Sequence, residues 1–258
     1  MTKPYLSVVV PAFNEEERIA STIDSLVGYL SKCSCQWELL VVNDGSTDST
    51  AQIVSEISSS DGRVRLIDAP HGGKGTAVRN GMMQAAGEWR FLCDADLSMP
   101  VDNLGRFFGC SDRIPCIGDE NSGPQHDVEV GSREAPGARR FNEPRARHVK
   151  GRLFNWVVKI LALRGIEDTQ CGFKLFSDES ATRLFPNQTL DGWAFDVELL
   201  VMAREAGFSV GEIAIDWHYG EGSKMTLGKG ALAVMDVVKV GLNSVLGKYK
   251  AVSKKNNS

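Results

Sequence analysis

In the stretch RFLCDADLSMP, two acids one residue apart, Asp94 and Asp96, follow a short apolar run. Carboxylates set side by side where a chain leaves a buried strand suit a hard divalent cation. Such an ion takes one or two carboxylates and fills its other positions with water and substrate phosphate oxygens. It would neutralise charge on a departing diphosphate. A solvated turn or a helix cap uses the same residue types, so the pair draws its meaning from context. Asp44, in VVNDGS, is placed to accept a base N–H or a ribose hydroxyl, although Asp-Gly-Ser also forms an Asx-turn unaided. HGGKG (His71–Gly75) has the glycines of a phosphate-cradling loop without Walker spacing. Its Lys74 falls at a helix start, where a cation opposes the macrodipole, so an anion facing it would explain the position. GSR (Gly131–Arg133) and GSK (Gly222–Lys224) each set a hydroxyl and a cation after a glycine, which suits charge-assisted bonds to phosphate.

The elements that carry these groups alternate in the first half of the chain. Leu6–Val10, Glu38–Val42, Val64–Ile67 and Trp89–Cys93 are short, continuously apolar and rich in branched residues, which predicts buried strands. Between them lie helical patterns: one with Ile19, Ile23, Leu26, Val27 and Leu30 on a face, one capped by Asp48 and running to Ile57, and one over Thr76–Ala86. Strands of this kind separated by helices imply a mostly parallel sheet flanked by helices. Ligands of such sheets bind beyond the carboxyl ends of the strands. PAFNEE, NDGSTD and DADLS all fall at those ends and should converge in one crevice. In the second half, Gly109–Asp127 reads as a long surface loop and Val128–Arg133 as a strand. Val149–Arg164 and Gly192–Ala206 read as helices, VGEIAIDW as a strand and Met225–Leu246 as a last helix. With no repeat and no linker, one domain over 1–258 is expected.

The 258 residues carry a net charge of −4, which excludes a nucleic-acid binder by overall composition. The cations are uneven: Arg133–Arg152 holds seven Arg or Lys against two acids, and Lys224 to the end holds seven Lys against one Asp. Two basic segments in an acidic chain suit a phosphate group or an anionic membrane surface, and solvated faces would carry the same residues. The N-terminus lacks the apolar core of a signal peptide. Leu153–Leu163 and Ala231–Leu246, the longest apolar candidates, are interrupted by Lys or Asp and fall short of the roughly 18–20 residues of a membrane span. RLFNWVVKILALR (Arg152–Arg164) has one narrow polar stripe, which suits a membrane interface, a buried core or a subunit contact. Six scattered cysteines without metal spacing predict free thiols, with Cys93 and Cys171 as packing residues.

VVVPAFNEEERI, VVNDGSTDST, GGKGTAVRNGM, DADLSMP, GSR, DTQCGFKLF, WAFDVELL and GSKM occur in this order over almost the whole chain. Together they resemble the inverting family-two glycosyltransferases of the GT-A (Rossmann-like) fold, and among them the dolichyl-phosphate glucosyltransferase and dolichyl-phosphate mannose synthase group. The resemblance implies a nucleotide-sugar half over 1–108 and an acceptor half with interfacial helices over 128–258. It implies sugar transfer to a membrane polyprenyl phosphate at the cytosolic face, with Mg²⁺ or Mn²⁺ as cofactor and UDP-glucose as donor; the alternatives are GDP-mannose as donor, a soluble saccharide acceptor and, last, an inactive nucleotide-binding scaffold, against which the intact acidic pair argues. A membrane-protein partner or a homo-oligomer would help a chain without a span to reach its lipid. By position, Pro11, Phe13, Glu15 and Asp44 would hold the nucleoside, and Lys74, Asp94 and Ala95 the nucleotide. Asp94 and Asp96 would hold the metal. Ser132, Arg133, Arg147, Gln170, Ser223 and Lys224 would face the acceptor phosphate. Asp96 and Asp196 are the implied catalytic residues, Asp196 being the nearest candidate for a base. Ser98 stands where some relatives carry Gln, which leaves a third metal ligand unassigned.

Overall fold

A computed structural model describes residues 3–110, 115–144, 163, 165–219 and 227–253. Its centre is a seven-stranded sheet in the order β3-β2-β1-β4-β7-β5-β8. The strands are β1 (Leu6–Ala12), β2 (Trp37–Asp44), β3 (Val64–Ala69), β4 (Trp89–Leu92), β5 (Val128–Ser132), β7 (Lys174–Ser177) and β8 (Val210–Ala214). The first four pair in parallel, as the apolar runs predict, and each extends close to the expected ends. β7 was not anticipated. It runs antiparallel between β4 and β5 and joins the two halves into one sheet. VGEIAIDW is two strands, not one: β8, then β9 (Asp216–His218), which pairs with β6 (Arg139–Phe141) in a separate two-stranded ribbon. The chain leaves the main sheet at Ile215, which is fully buried between them.

The helices pack where their apolar faces demand. α1 (Ile19–Leu30) buries Ile19, Thr22, Ile23, Leu26, Tyr29 and Leu30, a stripe of helical spacing. α2 (Thr50–Ser60) begins just after the predicted cap; the Asp48 carboxylate accepts from Thr50 N at 3.0 Å and from the Thr50 hydroxyl at 2.6 Å. α3 (Lys74–Gln84) starts two residues before the prediction and lies on β1 and β2, its Gly81 directly over Val9 and Val42. α4 (Asn103–Arg106) and α5 (Asp178–Leu184) are short. α6 (Phe195–Glu205) is buried on nearly every side, as expected of a helix in the core. α7 (Leu227–Val245) and α8 (Lys250–Ser253) dock on α6. There the Ser244 hydroxyl donates to Glu205, and the Tyr249 hydroxyl donates to buried Glu198 at 3.2 Å. The predicted helix Val149–Arg164 lies, but for Leu163, outside the described residues, as do Arg147, Ser223 and Lys224. Among the described residues no helix is long and apolar enough to cross a membrane.

The expectation of six free thiols is corrected. Cys110 and Cys116 form a disulfide, their Cα atoms standing 5.4 Å apart, within bridging range. Cys33, Cys35, Cys93 and Cys171 are free, the last two buried as expected. The segment read as surface loop also carries a core residue, Ile117.

The close seat of α3 yields a test. A Cβ on Gly81 would stand 2.7 Å from Val42 Cγ2 and collide with Val9. Gly81→Ala is therefore expected to cost about 1–3 kcal/mol of unfolding free energy through overpacking. Urea denaturation checks it; an unchanged midpoint would show that α3 can lift off the sheet freely.

Candidate active site

The polar strand ends do converge. The turns after β1 and β2 are laced together: Asn14 N donates to the Ser46 hydroxyl at 3.0 Å, Thr47 N to the Asn14 side chain at 2.8 Å, and Glu15 N to the Thr50 hydroxyl at 2.8 Å. Asn14 itself has φ +51°, a left-handed conformation that asparagine tolerates better than most residues. Pro11 lies in β1 opposite Val42, one residue before the strand ends at Ala12, and Phe13 follows to stack on His71, with ring centroids 4.4 Å apart. Glu15 pairs with Arg18 at 2.8 Å.

Asp44 is almost fully buried at the end of β2. Its carboxylate accepts from Gly72 N at 2.8 Å and Gly73 N at 3.1 Å, and His71 Nδ1 stands 2.9 Å from it. Asn43, not Asp44, accepts from the Ser46 amide in the turn that follows. Asp44 thus clamps the HGGKG loop over the crevice.

That loop delivers Lys74 to the acids. Lys74 is the first residue of α3, and its ammonium lies 2.7 Å from Asp94 Oδ1 and 5.2 Å from the centre of the Trp193 ring. The anion that a helix-start cation calls for is this carboxylate. Burial alone would lower the Lys74 pKa, but Asp94, Asp196 and Asp96 together hold it above the usual value. Asp94 reaches this position because residue 172 is glycine; a Cβ there would collide with the carboxylate. Ala95 is buried, and its carbonyl accepts from the Thr22 hydroxyl at 2.7 Å. Asp96 is exposed and accepts from Ser98 N at 3.0 Å, across Leu97 at φ +43°. A non-glycine residue held there is strained, as functional loops often are.

Asp196, in the first turn of α6, forms an ion pair with Lys174 of β7 at 2.7 Å. Lys174 is wholly buried and also donates to the Cys171 carbonyl at 2.5 Å. Burial raises the Asp196 pKa, while Lys174 and Lys74 oppose the rise. Sequence reasoning missed Lys174, Trp193 and Gly172. The only signal for Lys174 was a lysine inside the apolar run FKLF. The turn before α6 forms the wall of the site: Gly75 N donates to the Asp191 carbonyl at 2.8 Å, the Thr76 hydroxyl to the Asp191 carboxylate at 2.7 Å, and Gln170 Nε2 to the Trp193 carbonyl at 3.3 Å.

In the second half of the chain, Ser132 ends β5 fully buried, and its hydroxyl accepts from Glu134 N and Ala135 N. Arg133 is not loose. Its Nε and Nη2 donate to Asp168 at 2.6 and 2.8 Å, and its guanidinium lies 5.4 Å from the Trp217 ring centre. Burial would raise the Asp168 pKa, yet the Arg133 charge and hydrogen bonds keep it below the usual carboxylate value. Asp94 and Asp96 offer two carboxylates with oxygen donors only. Among the described residues no three His, Cys, Asp or Glu converge to hold a metal by themselves. The pair fits a hard cation whose shell is completed by phosphate oxygens and water, and does not resemble a closed structural site.

Comparison with known proteins decides the family. Residues 7–117 match the model of glycosyl transferase family 2. A dolichyl-phosphate beta-glucosyltransferase of Trichomonas vaginalis is 36% identical over 245 residues, covering 92% of this chain and 71% of its own. The chain belongs to the dolichyl-phosphate beta-glucosyltransferase group of glycosyl transferase family 2. The Saccharomyces cerevisiae dolichyl-phosphate beta-glucosyltransferase is 32% identical over 260 residues, covering 95% of this chain and 77% of its own. The human one is 35% identical over 232 residues, covering 85% and 69%. Among solved structures, glucosyl-3-phosphoglycerate synthase of Mycobacterium tuberculosis, in complex with Mn²⁺, UDP and glucosyl-3-phosphoglycerate, aligns with a TM-score of 0.65 at 19% identity. It covers 95% of this chain and 80% of that one. This likeness confirms the GT-A architecture expected from the motifs.

In this family member the Arg133–Asp168 pair sets an acid limit. Asp168 is held below its ordinary pKa of 3.8 in the folded state. The pair therefore contributes its full stability above pH 3.8 and loses it as the pH falls through the lower folded value. Asp168→Asn is expected to cost about 3 kcal/mol, the low end for removing one partner of a buried pair. It should also flatten the stability profile on the acid side. Denaturant unfolding between pH 7 and pH 2 reads both, and a variant with the wild-type acid limb would deny the pair this role.

Proposed function

We propose that this protein transfers glucose, with inversion, from UDP-glucose to the phosphate of dolichyl or another polyprenyl phosphate. The observation that carries the reading is the likeness to dolichyl-phosphate beta-glucosyltransferases over 92% of the chain, through both halves of the sheet. The charge arrangement supports it. Pro11, Phe13, Glu15 and Asp44 line the nucleoside side of the crevice, and Lys74, Asp94 and Ala95 the diphosphate side. Asp94 and Asp96 would hold Mg²⁺ or Mn²⁺, which when bound supplies positive charge for the leaving diphosphate. Ser132, Arg133 and Gln170, with Arg147, Ser223 and Lys224, would receive the acceptor phosphate.

The acceptor needs little activation. A phosphate monoester has its second pKa near 6, so its oxygens are ionised at neutral pH without a strong base. One such oxygen attacks the anomeric carbon, the bond to UDP breaks on the opposite face, and the configuration inverts. The protein's work is to bring two polyanions together and to orient them. Arg133 suits this because Asp168 fixes its guanidinium in advance. Asp196, paired with Lys174, serves this reading better as an electrostatic brace than as a proton acceptor.

Transfer of labelled sugar to polyprenyl phosphate tests the assignment, with UDP-glucose and GDP-mannose compared, each with and without chelator. Chelator-sensitive transfer from UDP-glucose is expected. Asp96→Ala should lower kcat/KM by at least about a hundredfold, the effect of losing a group that stabilises transition-state charge. Near-normal turnover of that variant would remove Asp96 from the metal site, and transfer from GDP-mannose alone would reassign the donor.

Access to the lipid is proposed through α7. Met235, Val238, Leu242, Val245 and Leu246 are exposed at helical spacing, beside Lys239, Lys248 and Lys250. An apolar face flanked by cations suits peripheral contact with an anionic interface at the cytosolic side of a membrane. Arg152–Arg164 is proposed as a second contact. Leu242→Glu with Val245→Glu should abolish flotation with vesicles containing anionic lipid while sparing UDP binding. Unchanged flotation would place the contact elsewhere.

A further inference from the structure

We infer that the Lys74 ammonium is a resident stand-in for the divalent cation: it occupies the Asp94 carboxylate while the donor is absent and yields it to the metal when the nucleotide arrives. The inference rests on the proposed metal and nucleotide roles and goes beyond them in giving one lysine two successive positions.

The argument is one of charge. Three carboxylates, Asp94, Asp96 and Asp196, act on the Lys74 ammonium together. The side chains of Asp94 and Lys74 are only 25% and 18% exposed, so water screens them poorly. Among the described residues, two cations, Lys74 and Lys174, offset the three acids. Lys174 is committed: it sits inside β7 with no exposed surface, tied to Asp196 and to the Cys171 carbonyl. Of these two, Lys74 is the one able to move, its side chain being 18% exposed. Its stem is flexible, and it follows Gly72 and Gly73, the latter at φ +95°. The Trp193 face, 5.2 Å from the ammonium, gives it a second favourable surface. A diphosphate would give it a third, stronger one.

The same geometry implies an order. A divalent ion at Asp94 in the absence of nucleotide must displace Lys74 with no anion to receive the ammonium. With the diphosphate present, the metal and the ammonium both find oxygen partners. Metal binding is then linked to nucleotide binding, and Lys74 opposes the first while favouring the second.

Titration of the full chain with Mn²⁺, followed by the electron paramagnetic resonance of free Mn²⁺ and by calorimetry, tests this. Wild type, Lys74→Met and Lys74→Arg are compared without nucleotide, then with UDP. Lys74→Met is expected to bind Mn²⁺ alone about tenfold more tightly than wild type, the change that loss of one moderately buried ion pair supports. The same variant should bind UDP more weakly at saturating Mn²⁺, and Lys74→Arg should restore the weak nucleotide-free affinity. Opposite signs in one variant are not produced by general loosening of the fold, which thermal unfolding monitors. Lys74→Gln replaces Lys74→Met if the latter unfolds. Unchanged or weaker nucleotide-free Mn²⁺ binding in the neutral variants, with Mn²⁺–UDP binding intact in wild type, would overturn the inference alone. Failure of wild type to bind Mn²⁺ even with UDP would overturn it together with the metal assignment.

Discussion

A buried ion pair, Lys174 with Asp196, is the constraint around which the site is built. Lys174 has no exposed surface and Asp196 almost none. Either charge alone at that depth would be costly, so the two elements that carry them must stay in register. One is β7, the antiparallel strand that joins the two parallel groups of the sheet. The other is the first turn of α6. The pair therefore fixes α6 against β7, the strand whose antiparallel pairing with β4 joins the second part of the chain to the first. A second pair, Lys74 with Asp94, repeats the arrangement between the start of α3 and the end of β4.

Close approach follows from that constraint, and small residues permit it. Gly172 leaves the space that Asp94 fills, and Gly75 lets α3 meet the carbonyls of Leu190 and Asp191. The turn over residues 189–191 is held from beneath by Glu198, which accepts from Thr189 N, the Thr189 hydroxyl, Leu190 N and the Tyr249 hydroxyl. A buried carboxylate with this many donors is satisfied and rigid. The support runs from the C-terminal helices through α6 to the helix start that carries Lys74. The lipid-facing side proposed for α7 and the HGGKG loop thus share one scaffold.

Reaction chemistry and architecture agree on what the protein must provide. Donor diphosphate and acceptor phosphate repel each other, and neither demands a strong base. Fixed cations, a pair of acids that suits a metal, and exclusion of water are the useful contributions. The cations are Lys74, Arg133 and Lys174, each already paired with an acid: Asp94, Asp168 and Asp196. Pairing leaves none of these three charges isolated, and they differ in burial: the Lys174 side chain has no exposed surface, while those of Lys74 and Arg133 are 18% and 22% exposed.

The four parallel strands, their order of polar ends and the convergence of Asp44, Lys74, Asp94 and Asp96 were legible in the sequence. They depend on local apolar periodicity and on a rule of parallel sheets that needs no coordinates. The anionic partner of Lys74 was also foreseeable, since a cation at a helix start is unfavourable unless something offsets it. The antiparallel strand β7 was not legible, because FKLF, with its lysine, resembles neither an alternating nor a fully apolar strand. The Cys110–Cys116 bridge was missed because pairing depends on where a loop folds back. Arg133 illustrates the division best. Residue type and spacing marked it as a phosphate-binding cation, but only the fold brought Asp168, 35 residues away, against its guanidinium. By itself the sequence determined which residues lie at the strand ends, because burial and periodicity are local. Tertiary structure decided which charges pair, because that depends on long-range approach in a medium where an unpaired charge cannot remain.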